Sequence, residues 1–144
     1  MIIAMYLAHL VGDYILQWNS LAAWKSRELK GVAAHCMVVF FVTWLFILPF
    51  NPRWWPWVIF IGAAHLAIDA FQLEVNLPLP ELARFFLDQA AHFLVITFAL
   101  AGGGYLDLNG LWAAGLAVLQ SEVLLIYLFG YAFVTMPAWV VVKF

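Results

Sequence analysis

Charged residues are scarce in this sequence: Lys, Arg, Asp and Glu together make up 10% of its 144 residues. Soluble domains typically carry about a quarter charged residues and about half apolar ones. Here the apolar share is 67%, and a soluble fold of this size has no interior large enough to bury so much apolar surface. The scarcity of charge therefore excludes a soluble globular protein and predicts a chain built into a lipid bilayer.

Cysteine and basic residues are also few. Cys36 is the only cysteine, which excludes a disulfide framework. The six basic residues are scattered, and nucleic acid is excluded as a partner because no basic stripe exists to meet phosphates. The apolar segment that starts at Met1 has no basic region before it and no clear cleavage site, so we expect a retained span rather than a signal peptide. The length predicts a single integral membrane domain, residues 1–144.

Four apolar stretches long enough to cross a bilayer follow one another before residue 103. The predicted spans are residues 1–18, 31–48, 57–73 and 81–102. Residues 1–50 then form one helical hairpin, residues 57–102 form a second, and residues 111–144 supply a C-terminal helix region, with one or two helical segments in 111–142. The predicted fold class is all-α, a polytopic membrane helix bundle of four core transmembrane helices in two hairpin repeats plus a C-terminal transmembrane helix.

The distribution of basic residues predicts the orientation of these spans. With the N-terminus outside, the outer side receives only Arg53, and the cytoplasmic side receives five basic residues, which satisfies the positive-inside rule. The five are Lys25, Arg27, Lys30, Arg84 and Lys143. Trp18 and Trp24 flank the charged segment as interfacial aromatics, and Lys25, directly after Trp24, is expected to be an interfacial anchor.

Inside the first span, the stretch AHLVGDYILQ places His9, Asp13 and Gln17 at steps of four. Residues four apart lie on one face of a helix. The phrase returns in the third span as AHLAID, where His65 again precedes Asp69 by four positions. The repetition predicts a His–Asp pair at the same level of two parallel helices.

The fourth span carries the same spacing in reverse order, because Asp88 precedes His92 by four positions. Spans one and three run inward and span four runs outward, so all three carboxylates are predicted to lie about 6 Å closer to the cytoplasm than their histidines. His35, in the second span, falls in or just below the histidine layer. The order of motifs thus predicts two layers, histidines above and carboxylates below.

The two hairpins also form a weak parallel repeat, related by an axis along the membrane normal. His9 and His35 are separated by nearly the same number of positions as His65 and His92. The match breaks at Gly31, which stands four residues before His35 where the second hairpin has Asp88.

Placing an ionisable group inside a bilayer costs several kcal/mol of free energy unless the group is paired, hydrated or bound to a metal. Ionisable residues in a membrane span therefore indicate a functional site. Imidazoles and carboxylates together suit a divalent metal, and we expect zinc. Gln17 and Gln89 are expected to support the ligands through hydrogen bonds, and Gln72 is expected to form an interhelical hydrogen bond. The candidate ligands are His9, His35, His65, His92, Asp13, Asp69 and Asp88, and the three aspartates are also the candidate catalytic groups.

Three interpretations of this layer remain open from the residues alone. A metal with an open coordination position would activate water, which predicts a membrane-embedded metal-dependent hydrolase acting on a lipid-like or amphiphilic substrate. The layer is otherwise a proton or ion pathway of a small transporter, or a structural His–Asp network of an interaction protein. The partners expected are membrane lipid and either further copies of the chain or a partner membrane protein.

The same residues resemble a family of small bacterial and phage membrane proteins catalogued as domain of unknown function 3307. The matching phrases are AHLVGDYILQ, the Trp24–Lys25 pair, His35, AHLAID and FFLDQAAHFL. The resemblance covers roughly residues 4–98, and it departs at Gln72, where a lysine is expected. It implies an integral membrane protein, multi-pass in the bacterial cytoplasmic membrane or in a host membrane if phage-encoded, and it implies no particular activity.

Overall fold

The computed structural model describes residues 1–75, 77–107 and 110, and all regular structure in these residues is helical. Residues Met1–Leu106 form one compact unit. Its elements are α1 (Ile2–Leu10), a π-helical turn (Val11–Ile15), α2 (Asn19–Lys25), α3 (Leu29–Ile47), a short 3-10 turn (Pro52–Trp54), α4 (Trp55–Glu74) and α5 (Glu81–Gly102). The predicted C-terminal helix within 111–144 lies outside the described residues, and the single domain over 1–144 stays a prediction.

Three helical segments of this unit are long and apolar enough to cross a membrane: Leu29–Ile47, Pro52–Glu74 and Glu81–Gly102. The first two segments begin and end within five residues of the predicted spans 31–48 and 57–73. The third, α5, has the bounds of the predicted span 81–102. The all-α bundle is therefore confirmed. The first helix is shorter than predicted, because Ile2–Ile15 spans only about 21 Å against a hydrocarbon thickness of roughly 30 Å.

The first helix ends early because its last turn is π-helical. Leu16 has left helical geometry, and Trp18 is extended. The turn packs tightly on α3: a Cβ added to Gly12 would lie 2.9 Å from Val39 Cγ2 and 3.2 Å from Val39 Cα. Only glycine fits there, and the close approach turns the neighbouring Asp13 into the bundle, where it is buried. Such π turns often occur at functional sites.

Helix α2 lies against the start of α3 at Gly31. A Cβ added to Gly31 would lie 2.5 Å from the carbonyl oxygen of Trp24 and 2.6 Å from the backbone nitrogen of Lys25. These are backbone atoms, which cannot rotate away. The break in the sequence repeat thus has a physical reason: where the second hairpin carries Asp88, the first carries a glycine that admits α2.

An apolar cluster closes the bundle on one side of the histidines. It contains Met5, Ile47, Trp54, Val58, Ile61, Ile96, Ala99 and Leu100. Met5 and Ile61 each stand four residues before a histidine, and Ile96 stands four residues after His92, on the helix that runs the other way. The apolar layer is therefore about one helical turn from the histidine layer, on the side away from the carboxylates.

Candidate metal centre

All four histidines gather in the middle of the bundle, although they come from four different helices. The ring centroids of His65 and His92 are 4.1 Å apart, those of His9 and His92 are 5.1 Å apart, and those of His35 and His65 are 5.3 Å apart. Each histidine is at most 2% exposed. The structure thus brings the four imidazoles into one cluster, which is the arrangement that the spacing of the motifs predicts.

Each of the three His–Asp pairs read from the sequence is in contact within its own helix. The shortest nitrogen–oxygen distances are 3.6 Å for His9–Asp13, 3.3 Å for His65–Asp69 and 3.2 Å for His92–Asp88. Asp13 and Asp69 are buried, and the Asp88 side chain is 16% exposed. The pairs therefore combine into one polar layer that faces the bundle interior.

The centre of this layer is a set of four atoms from three elements, the π turn, α3 and α4. His35 Nε2 and His65 Nε2 are 3.3 Å apart. Asp69 Oδ2 lies 3.7 Å from the first nitrogen and 3.3 Å from the second. Asp13 Oδ1 lies 3.2 Å from His35 Nε2 and 3.5 Å from His65 Nε2. Ligands held at about 2.0–2.2 Å in a tetrahedral zinc site are separated from one another by about 3.3–3.6 Å, so these spacings match a metal-binding geometry.

The same distances also allow a His–Asp network without a metal, in which His35 Nε2 lies 3.2 Å from Asp13 Oδ1 and His65 Nε2 lies 3.3 Å from Asp69 Oδ2, although Asp13 Oδ1 has no hydrogen bond among the described residues. Neutral imidazole carries one proton, and a carboxylate only accepts. The central distances therefore fit two interpretations, and the neighbouring His92 adds a requirement that both must meet.

The His92 ring has a defined proton position. Its Nδ1 donates to the backbone carbonyl oxygen of Asp88 at 2.9 Å, so Nε2 of the neutral ring is an acceptor. His92 Nε2 lies 3.8 Å from Asp69 Oδ1, and both atoms are buried without a hydrogen bond among the described residues. Two buried acceptors that face each other need a cation or a proton between them. A backbone carbonyl on the other ring nitrogen is also how metal-ligating histidines are typically oriented.

Among the described residues, three groups of side chains offer ligand atoms that, within each group, lie within 4.8 Å of one another. The first is His9, Asp13 and His65, the second is His35, His65 and Asp69, and the third is Asp69, Asp88 and His92. His65 belongs to two groups, and so does Asp69, so the groups form a continuous chain across the bundle. All seven ligands predicted from the sequence belong to at least one group.

The two glutamines expected to support the ligands behave differently. Gln89 Oε1 is 3.3 Å from His9 Nε2, and its side-chain amide donates to Asp88 Oδ2 at 3.1 Å, so Gln89 connects two of the pairs. Gln17 is not on the helical face of His9 and Asp13, because the helix ends at Ile15. It lies instead on the wall of a cleft that reaches Asp69. The predicted i, i+8 placement of Gln17 is therefore wrong.

Lys25 is the site residue that the sequence analysis missed. Its Nζ lies 2.8 Å from Asp69 Oδ2, with 22% of its side chain exposed. It points inward rather than anchoring the chain at the surface, because Gly31 allows α2 to lie over the start of α3. The signal in the sequence was the Trp24–Lys25 pair, which carries part of the family resemblance and stands shortly before the break in the repeat at Gly31. Cys36 Sγ also donates to Asp69 Oδ2, at 3.7 Å.

Two openings reach the carboxylates. The polar cleft has a volume of about 320 Å³ and is lined by Gln17, Ala22, Lys25, Ser26, Asp69, Gln72 and Leu73. A larger groove of about 580 Å³ lies between α4 and α5, is mostly apolar, and reaches Asp88. Gln72 lines both openings, and it donates an interhelical hydrogen bond to Asp88, as expected from the sequence. The layer is thus closed by apolar residues on one side and open on the other.

This fold and site define a class: an all-helical protein with helices able to cross a membrane and a buried His–Asp cluster suited to a metal ion. The chain belongs to the family described as Protein of unknown function (DUF3307), whose sequence profile matches residues 1–114. That match confirms the resemblance, and it includes all seven candidate ligands and Lys25. Neither a curated protein nor a solved structure matches the chain.

Proposed function

We propose that the protein is a membrane-embedded, metal-dependent hydrolase that acts on a lipid-like or amphiphilic substrate. The observation that carries this proposal is the central set of atoms from Asp13, His35, His65 and Asp69, with spacings of 3.2–3.7 Å, beside a cleft that opens at Asp69. We assign these residues to a divalent cation, with zinc as the expected metal. His92 and Asp88 offer a second, adjoining group of ligands.

A divalent metal held by these ligands would supply Lewis acidity and lower the pKa of a bound water molecule. Asp88 is the residue we assign to proton transfer. It is the most accessible of the three carboxylates, it faces the groove, and it contacts His92 Nδ1 at 3.2 Å. Hydrolysis of an ester would add hydroxide to the carbonyl carbon and release an alcohol, and the Asp88–His92 pair would take the water proton and return it to the leaving oxygen.

The surroundings fit a substrate that comes from the membrane. The groove is bordered by Phe71, Phe85 and Leu87, all largely exposed on the surface of the bundle. Apolar helices of spanning length support the assignment of this surface to lipid contact. We assign the protein to the bacterial cytoplasmic membrane, or to a host membrane for a phage protein, as the family resemblance implies, and the basic residues favour a cytoplasmic position for α2.

The second candidate is a non-enzymatic relay or structural network, and one observation favours it. The Lys25 ammonium already neutralises one buried carboxylate, which reduces the need for a metal charge at Asp69. In that function the chain of contacts from His9 through Gln89 to Asp88 and His92 would conduct or hold protons.

Metal content separates the two candidates. The full chain is purified in detergent, supplied with zinc, manganese or iron, dialysed, and measured by elemental analysis. We expect at least one equivalent of one metal in the natural sequence, retention in Thr43→Val, and loss in His35→Ala and His65→Ala. Thr43 is a matched control because it is a buried polar residue of the same helix whose hydroxyl bonds only the Val39 carbonyl among the described residues.

The hydrolase itself is tested with the metal-loaded protein in lipid vesicles and a medium-chain p-nitrophenyl ester as the probe. We expect release of p-nitrophenol that a chelator abolishes and that Asp88→Asn reduces by about 10²- to 10⁴-fold, the usual contribution of a positioned acid–base group. A natural chain that binds none of the three metals would overturn the proposal in favour of the relay.

A further inference from the structure

The polar cleft and the α4–α5 groove meet at one residue, Gln72, which lines both. Their chemistry differs sharply. The polar cleft presents two groups that can donate to a ligand, the Lys25 ammonium and the Gln17 amide, and the Ser26 hydroxyl in its lining already donates to the Ala23 carbonyl oxygen. The groove presents mainly apolar side chains, among them Ile68, Phe71 and Leu87, and its charged lining residues are Glu81, Arg84 and Asp88. One opening suits a charged group and the other suits a hydrocarbon chain.

The charge of the polar cleft suits an anion. Asp69 is the one acidic residue in its lining, and the Asp69 side chain is fully buried with Lys25 Nζ at 2.8 Å. The lysine head has three protons, and 22% of its side chain remains exposed, so it is placed to hold Asp69 and a second acceptor together. Lysine is a common point-charge ligand for phosphate and carboxylate groups. An anion in the cleft would therefore lie directly beside the proposed metal ligands.

The depth of the two openings fits a molecule with a head and a tail. Trp18, directly before α2, and Trp24, in its last turn, are 57% and 42% exposed, as is typical of aromatic residues at a membrane interface. The polar cleft lies at that level, next to Lys25 and Ser26. The groove runs along α4 and α5 from the region of Val75 and Leu77 as far as Ala91, one residue before His92. Its volume of about 580 Å³ is within the range of about 300–1,000 Å³ usual for ligand sites.

We propose that the two openings together bind a single-chain amphiphile, with its anionic phosphate or carboxylate head in the polar cleft at Lys25 and its acyl chain in the α4–α5 groove. This inference rests on the proposed function and identifies its substrate class. The bond between head and tail would then lie near Gln72, between the carboxylates of Asp69 and Asp88. Lys25 is a binding residue for the head group, and Gln72 holds Asp88 in place at the junction.

The experiment measures binding rather than turnover. The full chain in detergent micelles is titrated with a single-chain lipid that carries a phosphate monoester head and a photoreactive diazirine in its chain. The matched probe is a monoacylglycerol with the same chain and no charge. We expect photolabelling at groove residues such as Phe71 or Phe85, and a loss of affinity for the phosphate probe of about tenfold or more in Lys25→Gln, equivalent to about 1.4 kcal/mol. Lys25→Arg should retain binding, and the neutral probe should bind Lys25→Gln and the natural sequence equally.

A second pair of variants tests the groove without touching the Lys25–Asp69 ion pair. Ala67 is exposed and lines the groove, so Ala67→Phe should fill it and weaken both probes by about tenfold or more. Ala63 is also exposed, lies one turn away on the same helix, and does not line the groove, so Ala63→Phe should bind as the natural sequence does. This pair keeps the inference testable even if Lys25→Gln fails to fold.

Each outcome has one meaning. Equal affinity of Lys25→Gln and the natural sequence for the phosphate probe would overturn the inference. So would labelling confined to the α3 surface at Met37 or Phe41, or displacement of the lipid probe by equimolar inorganic phosphate; the last result would identify free phosphate as the ligand. If the phosphate probe binds as expected and the protein holds no metal, the hydrolase proposal fails and the amphiphile site stands. If metal is bound and Lys25→Gln binds the phosphate probe as tightly as the natural sequence does, only this inference fails.

Discussion

The Nε2 atoms of His35 and His65 lie 3.3 Å apart, one from α3 and the other from α4. Both rings are at least 98% buried. A carboxylate oxygen of Asp13 lies 3.2 Å from His35 Nε2, and a carboxylate oxygen of Asp69 lies 3.3 Å from His65 Nε2. Neither helix contains both histidines, so the contact exists only when the two hairpins pack together. It joins the halves of the repeat at the point where the proposed cation binds.

Replacing Asp69 tests the role of the carboxylates in this site. Asp69 contacts His65, His35 and Lys25, so Asp69→Asn should lower metal affinity by at least about 10- to 100-fold, the usual effect of losing a group that orients or completes a metal site. Competition against a fluorescent chelator measures the affinity, with Thr43→Val as the control. Asp13→Asn should act in the same direction, and unchanged affinity in both variants would favour the structural network.

The tight contact at Gly12 predicts a loss of stability. In Gly12→Ala the new methyl group would press on Val39, including its Cα, so the free energy of unfolding should fall by about 1–3 kcal/mol, as for other overpacked sites. Thermal unfolding in detergent measures the change. Val39→Ala introduced as a second substitution should recover part of it, because it removes Val39 Cγ2, the nearest atom.

Gly62→Ala is the matched control for this position. A Cβ there meets the ring edge of Phe40 at 3.0 Å, and a side chain can move where backbone cannot. We expect a smaller loss of stability than for Gly12→Ala. The reverse order would show that the π turn does not depend on the glycine contact.

Gly31→Ala should separate Lys25 from Asp69 without altering a polar group. The added methyl group meets the backbone of Trp24 and Lys25, so α2 must move away from α3. We expect Lys25 to become several-fold more reactive toward an amine-directed acylating reagent, as measured by mass spectrometry. Lys30 is an internal control, because it is exposed in the natural sequence. Continued protection of Lys25 in the variant would contradict this account of how α2 is held.

Membrane orientation remains a prediction from the basic residues, and single cysteines test it. In a Cys36→Ala background, Phe50→Cys should react with an impermeant thiol reagent in intact cells, and Ser26→Cys should react only after the membrane is opened. Both positions are exposed at the ends of helices. External labelling of Ser26→Cys would overturn the predicted topology.

The helices and the three His–Asp pairs could be predicted because they depend on local features. Helix α5 has the bounds that its apolar run predicts, Glu81–Gly102, and the turn before it follows from its prolines. The contacts within each pair follow from the four-residue spacing alone. The reversed order of Asp88 and His92 predicted their common level with the other pairs, since depth in a bilayer depends only on the direction and rise of each helix.

The identity of the partners across helices was decided by packing, which no local pattern records. Helix α1 ends in a π turn because Gly12 lets it approach Val39, and that turn separates Gln17 from the face predicted for it. Lys25 reaches Asp69 because Gly31 leaves room for the backbone of α2. The sequence by itself determined which ionisable groups lie at one depth, because helical rise is a property of each segment. Only the tertiary structure decided which of these groups meet, because that depends on where two glycines allow separate helices to touch.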